Sequence, residues 1–233
     1  GGKFYVGHNE TDPCVQEIER NIDFDVTGDA EMVVEVQNSS AFGKVLSMGE
    51  LNLADGVTLN LNVDDVYPAF DGNIHVGAGT AEIIGARTYR LLIRSPIDGT
   101  GTLKLTAVDA NFAYANQPFA GTIDYSRPHS QIDVTVEGAL GQGTFRNSGQ
   151  NSQVWVQAPQ VCDYVLTSTN QRFQAPNAVT GNLTVNYDGS STDIRTYFDV
   201  AGAARDANIV FNAGNNNFFG LARGAWTGST EVT

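Results

Sequence analysis

From Val57 to Val63 the chain reads Val-Thr-Leu-Asn-Leu-Asn-Val, four apolar side chains alternating with three polar ones. A period of two belongs to an extended strand with one buried face and one wet face. The pattern returns later. Ile132, Val134 and Val136 alternate with Gln131, Asp133, Thr135 and Glu137, and Leu183, Val185 and Tyr187 alternate with Asn182, Thr184, Asn186 and Asp188. The dipeptides Asp55-Gly56, Asp71-Gly72, Asp98-Gly99 and Asp188-Gly189 punctuate the strands and accept the positive φ of tight hairpins. The pattern predicts an all-β fold, an antiparallel β-sandwich of jelly-roll or immunoglobulin-like type, or a barrel-like variant of one. Because the Asp-Gly turns do not recur at a fixed interval, it argues against a solenoid or a propeller.

One short helix is expected near the N-terminus, over residues 12–20. Asp12 suits the cap, Pro13 the first helical position, and Gln16 completes a capping box before Asn21 closes the segment. The expected organisation is a single β-sandwich domain over 1–233 with an N-terminal extension, 1–21. The stretch Gly138–Gln153, rich in Gly, Asn, Gln and Ser, allows an alternative division into docked β-domains at 22–140 and 150–233.

The formal net charge of −13, with Lys3, Lys44 and Lys104 the only lysines, argues against nucleic acid as a partner, since neutralising phosphates takes clustered Lys and Arg. No apolar run approaches the roughly 20 residues that span a bilayer, so no transmembrane segment is expected. The opening Gly1-Gly2-Lys3-Phe4 has neither an initiator Met nor a signal peptide, the expectation for a secreted or cell-surface chain with its leader removed. Cys14 and Cys162 are the only cysteines, and in such a compartment an isolated even pair predicts one disulfide.

Reactive constellations are sparse. His8, His75 and His129 lack the spacing of a zinc site, and His75, between Ile74 and Val76, is expected on the wet face of a strand. His129-Ser130 is no nucleophile pair, because adjacent strand residues point to opposite faces and no Gly-x-Ser-x-Gly is present. Glu31, Glu35, Asp133 and Glu137 are carboxylates of the kind a glycosidase pairs across a cleft, but alternation reads them as a solvated face. No cofactor is expected; Asp64-Asp65, Asp71-Gly-Asn73 and Asp23-Phe-Asp25 are the oxygen clusters that calcium would use, without EF-hand spacing. Asn9, Asn38 and Asn182 match the Asn-x-Ser/Thr acceptor for glycosylation.

The functional expectation is a non-enzymatic subunit of an extracellular filament, pilus or similar surface assembly that polymerises with copies of itself by β-strand addition. Phe4, Tyr5 and Val6 are the assembly strand. The alternatives are a secreted or surface-anchored binding module for a carbohydrate or a host protein, with Phe218, Phe219 and Trp226 as candidate ligand aromatics, and a viral capsid or tail-spike β-domain.

Overall fold

The computed structural model describes residues 2–8, 17–36, 43–63, 66–85, 90–149 and 151–167, together with the strands at 172–174, 183–186, 195–199, 209–212, 218–222 and 230–232. The chain divides into two compact units, Gly1–Asn111 and Phe112–Thr233, with the division inside one strand.

The first unit coils with three strands to a turn. In chain order these are β1 (Gly2–His8), β2 (Glu17–Glu19) and β3 (Phe24–Val26), then β4 (Ala30–Val36), β5 (Lys44–Met48) and β6 (Leu51–Leu53), then β7 (Thr58–Val63), β8 (Val66–Phe70) and β9 (Ile74–Val76). A further turn is β10 (Thr80–Ile84), β11 (Leu91–Ile93) and β12 (Ile97–Gly99), and β13 (Thr102–Thr106) and β14 (Ala110–Phe112) follow. Each strand pairs in parallel with its counterpart one turn away, giving sheets ordered β1-β4-β7-β10-β13, β2-β5-β8-β11 and β3-β6-β9-β12. The second unit coils with two strands to a turn: β15 (Thr122–Tyr125) and β16 (Gln131–Val134), β17 (Thr144–Asn147) and β18 (Gln153–Val156), β19 (Asp163–Leu166) and β20 (Arg172–Gln174). It continues with β21 (Leu183–Asn186) and β22 (Arg195–Asp199), β23 (Ile209–Asn212) and β24 (Phe218–Ala222), and β25 (Thr230–Val232). Here too every pairing is parallel.

Each unit is therefore a parallel β-solenoid of about five turns, which overturns the antiparallel sandwich and the argument against a solenoid. The alternation was read correctly; the partner direction was not. Period two reports that one face is buried and says nothing about which way the neighbouring strand runs. Parallel sheets ordinarily bury both faces under crossover helices. Here the coil needs no crossover helix among the described residues, and strands such as β7, β10 and β13 alternate a buried inner face with a partly exposed outer one. Asp55-Gly56, Asp71-Gly72 and Asp98-Gly99 lie at corners or strand ends of the coil rather than between hairpin strands. The helix expected over 12–20 is also corrected, because Glu17–Glu19 forms β2 with Ile18 buried between two exposed glutamates. Residues 11–16 lie outside the described residues. The Gly-rich stretch 138–153 contains β17 and the first residue of β18.

In-register stacking builds the core from columns of like side chains. In the first unit Leu51, Ile74 and Ile97 stack in successive turns, as do Leu59, Ile83 and Leu105, all at most 2% exposed. In the second, Ile123, Phe145 and Tyr164 form one column at 0% exposure. Burying each such side chain contributes about 1.5–3 kcal/mol, and the columns repeat that gain at every turn.

The corners repeat as well. Gly79-Thr80, Gly101-Thr102, Gly121-Thr122 and Gly143-Thr144 open β10, β13, β15 and β17. A Cβ on Gly143 would lie 1.9 Å from the Gly121 carbonyl oxygen, so glycine is required where one corner rests on the corner of the preceding turn. A second motif joins the two strands of a turn in unit two. Tyr125 Oη donates to Ser130 Oγ (2.5 Å) and Ser130 Oγ to the Arg127 carbonyl (2.8 Å). One turn on, Asn147 Nδ2 donates to Ser152 Oγ (2.8 Å) and Ser152 Oγ to the Gly149 carbonyl (2.7 Å). The residue before each serine, His129 or Asn151, has a φ of 54°, the left-handed conformation that His and Asn tolerate better than most.

Candidate functional site

In the first unit β1 pairs along its whole length with β4, from Gly2 opposite Ala30 to His8 opposite Val36. The assembly strand expected from sequence thus belongs to its own sheet. Val6 is buried at 5% exposure, and inserting Phe4–Val6 into another copy would break this ladder. The other backbone edge of β1 carries no strand of this chain among the described residues. Tyr5 is 60% exposed on the outer face. Phe4 is 39% exposed although it lies in register with buried Met32. Its ring meets Phe24 edge-on at 5.0 Å, and Phe24 in turn meets Phe70 at 6.4 Å. A cavity of about 430 Å³ opens beside them, floored by Phe4, Phe24, Val26, Met32 and Leu59, with Asp25 and Glu31 also in its lining. An unpaired strand edge next to accessible core aromatics is a template for another strand.

The outer faces carry polar ladders that run from turn to turn. Lys3 Nζ lies 2.6 Å from Glu31 Oε2, and Asn62 Nδ2 donates to Glu31 Oε1 at 3.3 Å. Lys104 Nζ lies 2.9 Å from Glu82 Oε1, which also accepts from Thr106 Oγ1. Arg94 Nη2 bonds Glu17 at 2.6 Å and Asp71 at 2.7 Å, while Ser47 donates to Asp71, so four successive turns are tied by one network. The Arg94 hydrogen bond holds the Glu17 carboxyl below its usual value of about 4.5. Burial opposes ionisation of Glu82, but the Thr106 and Lys104 contacts outweigh it and keep that carboxyl low as well.

Glu17 is ionised in both folded and unfolded chains at neutral pH, and the Arg94 contact then contributes its full stabilisation. As pH falls the unfolded chain takes up the proton first, and the contribution is gone once pH is below the folded value. The urea midpoint should hold steady from about pH 7 to about pH 5 and fall towards about pH 3, less steeply in Arg94→Gln; with Glu17 half exposed, the difference is about 0.2–1 kcal/mol. Parallel acid profiles for the two proteins would show that the pair contributes nothing.

The other residues singled out from sequence are scattered. His75 lies on the outer face of β9, as its alternation predicts, with Nδ1 against Asp98 Oδ1. His129 contacts Asn151 at 3.5 Å in a corner. Glu31 is in the first unit, while Asp133 and Glu137 are in the second. Asp133 accepts from Gln131. The proposed calcium oxygens take protein donors instead: Asp23 accepts from the Glu50 amide, Asp25 from Asn52, and Asp71 from Arg94. Among the described residues no group of three or more His, Cys, Asp or Glu could hold a metal ion.

Cys162 is a buried free thiol, raised to about 12 by burial, so the Cys14–Cys162 disulfide is not formed; Cys14 itself lies outside the described residues. An even count of two cysteines carries no information about where the coil takes them. Phe218 and Phe219 are adjacent on β24, and Trp226 is outside the described residues, as are Asn9, Asn38, Asn182 and Asp64-Asp65. His8 and Glu35 lie on β1 and β4. No described helix is long and apolar enough to cross a membrane.

Family models, curated proteins and solved structures give no match to this chain. The site is therefore read from its own geometry. Sequence reasoning singled out Phe4, Tyr5 and Val6 but not Phe24, whose contact with Phe4 depends on β3 coming round two strands after β1. The Gly-Thr dipeptides at 79–80, 101–102, 121–122 and 143–144 were the available signal for coiling, and they lie outside the turn that joins these two rings.

Proposed function

We propose that this chain is a non-enzymatic structural element of an extracellular or cell-surface assembly, joining copies of itself by β-addition at the outer edge of β1. The open edge of β1, flanked by exposed Tyr5 and half-exposed Phe4, is the observation that carries the reading. The outer-face ladders support it, since the charged side chains that bond across turns stiffen a scaffold. The role of Phe4–Val6 changes with the fold: the strand receives a neighbour's strand and does not leave its own sheet.

The test is light scattering and negative-stain microscopy across a concentration series. The wild type should grow into filaments. Tyr5→Lys, which places a charge on the edge strand, should stay small with unchanged circular dichroism. Deleting β1 is the weaker test, because it would merely bare the edge of β4. A wild type that stays monomeric at every concentration, or a Tyr5→Lys variant that polymerises as the wild type does, overturns the proposal.

A further inference from the structure

The outer face of β16 and β18 in the second unit carries the one exposed tryptophan among the described residues. Trp155 is 38% exposed and lies directly opposite Asp133 in the parallel register, with Gln153 opposite Gln131. The four side chains form a square, bonded along each strand. Gln131 Nε2 donates to Asp133 Oδ1 at 2.6 Å, and Trp155 Nε1 donates to Gln153 Oε1 at 3.2 Å. Asp133 is only 7% exposed despite its outward position.

We propose that this square is a binding platform for a neutral pyranose glycan, with Trp155 as the stacking surface and Gln131 and Gln153 as the hydroxyl-binding groups. The indole N–H is already engaged by Gln153, so the ring presents its π-face. The electron-rich face of an aromatic ring attracts the weakly positive C–H groups on the flat side of a sugar. The equatorial hydroxyls then lie at the ring's rim, where the Gln153 amide adjoins it along β18 and the Gln131 amide stands diagonally across on β16. A glutamine amide offers two donors and two acceptor lone pairs, more than its single bond to the indole uses.

The alternatives fit less well. The described neighbours of Trp155 on this face, Asp133 and Gln153, are polar, without the contiguous apolar core that a protein interface buries. Asp133, in a chain of net charge −13, disfavours nucleic acids and acidic glycans. A parallel sheet held in register on both sides also keeps the platform rigid, so little ordering is needed when a ligand binds.

The test is isothermal titration calorimetry of the full chain with cellohexaose and with N-acetylchitohexaose. The wild type should give saturable heat with at least one of them. Trp155→Ala should abolish it while retaining wild-type circular dichroism and melting temperature, and Trp155→Phe should retain weaker binding. Gln153→Ala should weaken binding about fivefold, the size of one hydrogen bond. Absence of saturable heat with both sugars overturns the proposal. So does binding that survives Trp155→Ala, or a Trp155→Phe variant as silent as the alanine one.

Discussion

Gly99→Ala should destabilise the first unit by about 3–5 kcal/mol, among the largest effects a single methyl group produces. Gly99 ends β12 with a φ of 107°, and an added Cβ would lie 1.8 Å from the carbonyl oxygen of Val76, its partner one turn away. Two penalties therefore coincide, a backbone conformation hostile to L side chains and a collision with main chain that cannot rotate aside. Relief requires β12 to part from β9, which opens the buried column of Leu51, Ile74 and Ile97. Gly28 is the internal control, since a Cβ there meets nothing within 4 Å. Urea unfolding should show a large loss for Gly99→Ala and almost none for Gly28→Ala; comparable losses would mean that the corner does not rest on the turn beside it.

Phe145→Ala should cost the second unit a similar amount, about 3–5 kcal/mol. The ring is fully buried, stacked in register between Ile123 and Tyr164, and meets Tyr164 at 6.2 Å with a 66° interplanar angle. Removing it leaves a void flanked on two sides, and the coil cannot collapse into it, because the backbone hydrogen bonds fix the spacing between strands at about 4.8 Å. Hydrogen exchange should therefore accelerate first in β15, β17 and β19. A loss below about 1 kcal/mol, or a uniform increase in exchange, would show that the column is not packed as described.

How much of this was legible in the sequence depended on strand length. Thr58–Val63 is six residues long, enough to display its period, and Leu59 and Leu61 face the core as read. Phe24–Val26, Leu51–Leu53 and Ile74–Val76 have three residues each, so alternation is enough to place His75 on a wet face but does not show that these strands stack into a third sheet of the first unit. Strand direction is not written into a single strand at all. It is fixed by whether the chain folds back at once or circles round, which is a property of the corner. The circular path was hidden because the step between paired residues varies from 19 residues (Thr144 to Asp163) to 29 (Ala30 to Leu59). A search for a fixed period fails against that variation, whereas Gly-Thr keeps its place at the start of β10, β13, β15 and β17 in four successive turns. Trp155 carries no motif of its own, and its outward position follows from Val154 and Val156 facing inward.

The same variable step bears on how such a chain comes into being. Every paired strand described finds its partner within the turn just completed, so backbone pairing does not wait for distant sequence. A β protein that joins remote strands must search for them and is slow for that reason. Here the completed turn offers a ready edge to the residues that follow, and folding can advance from a first nucleus as an addition reaction, one turn at a time. The chain is suited to acquiring its structure in the order in which it is synthesised.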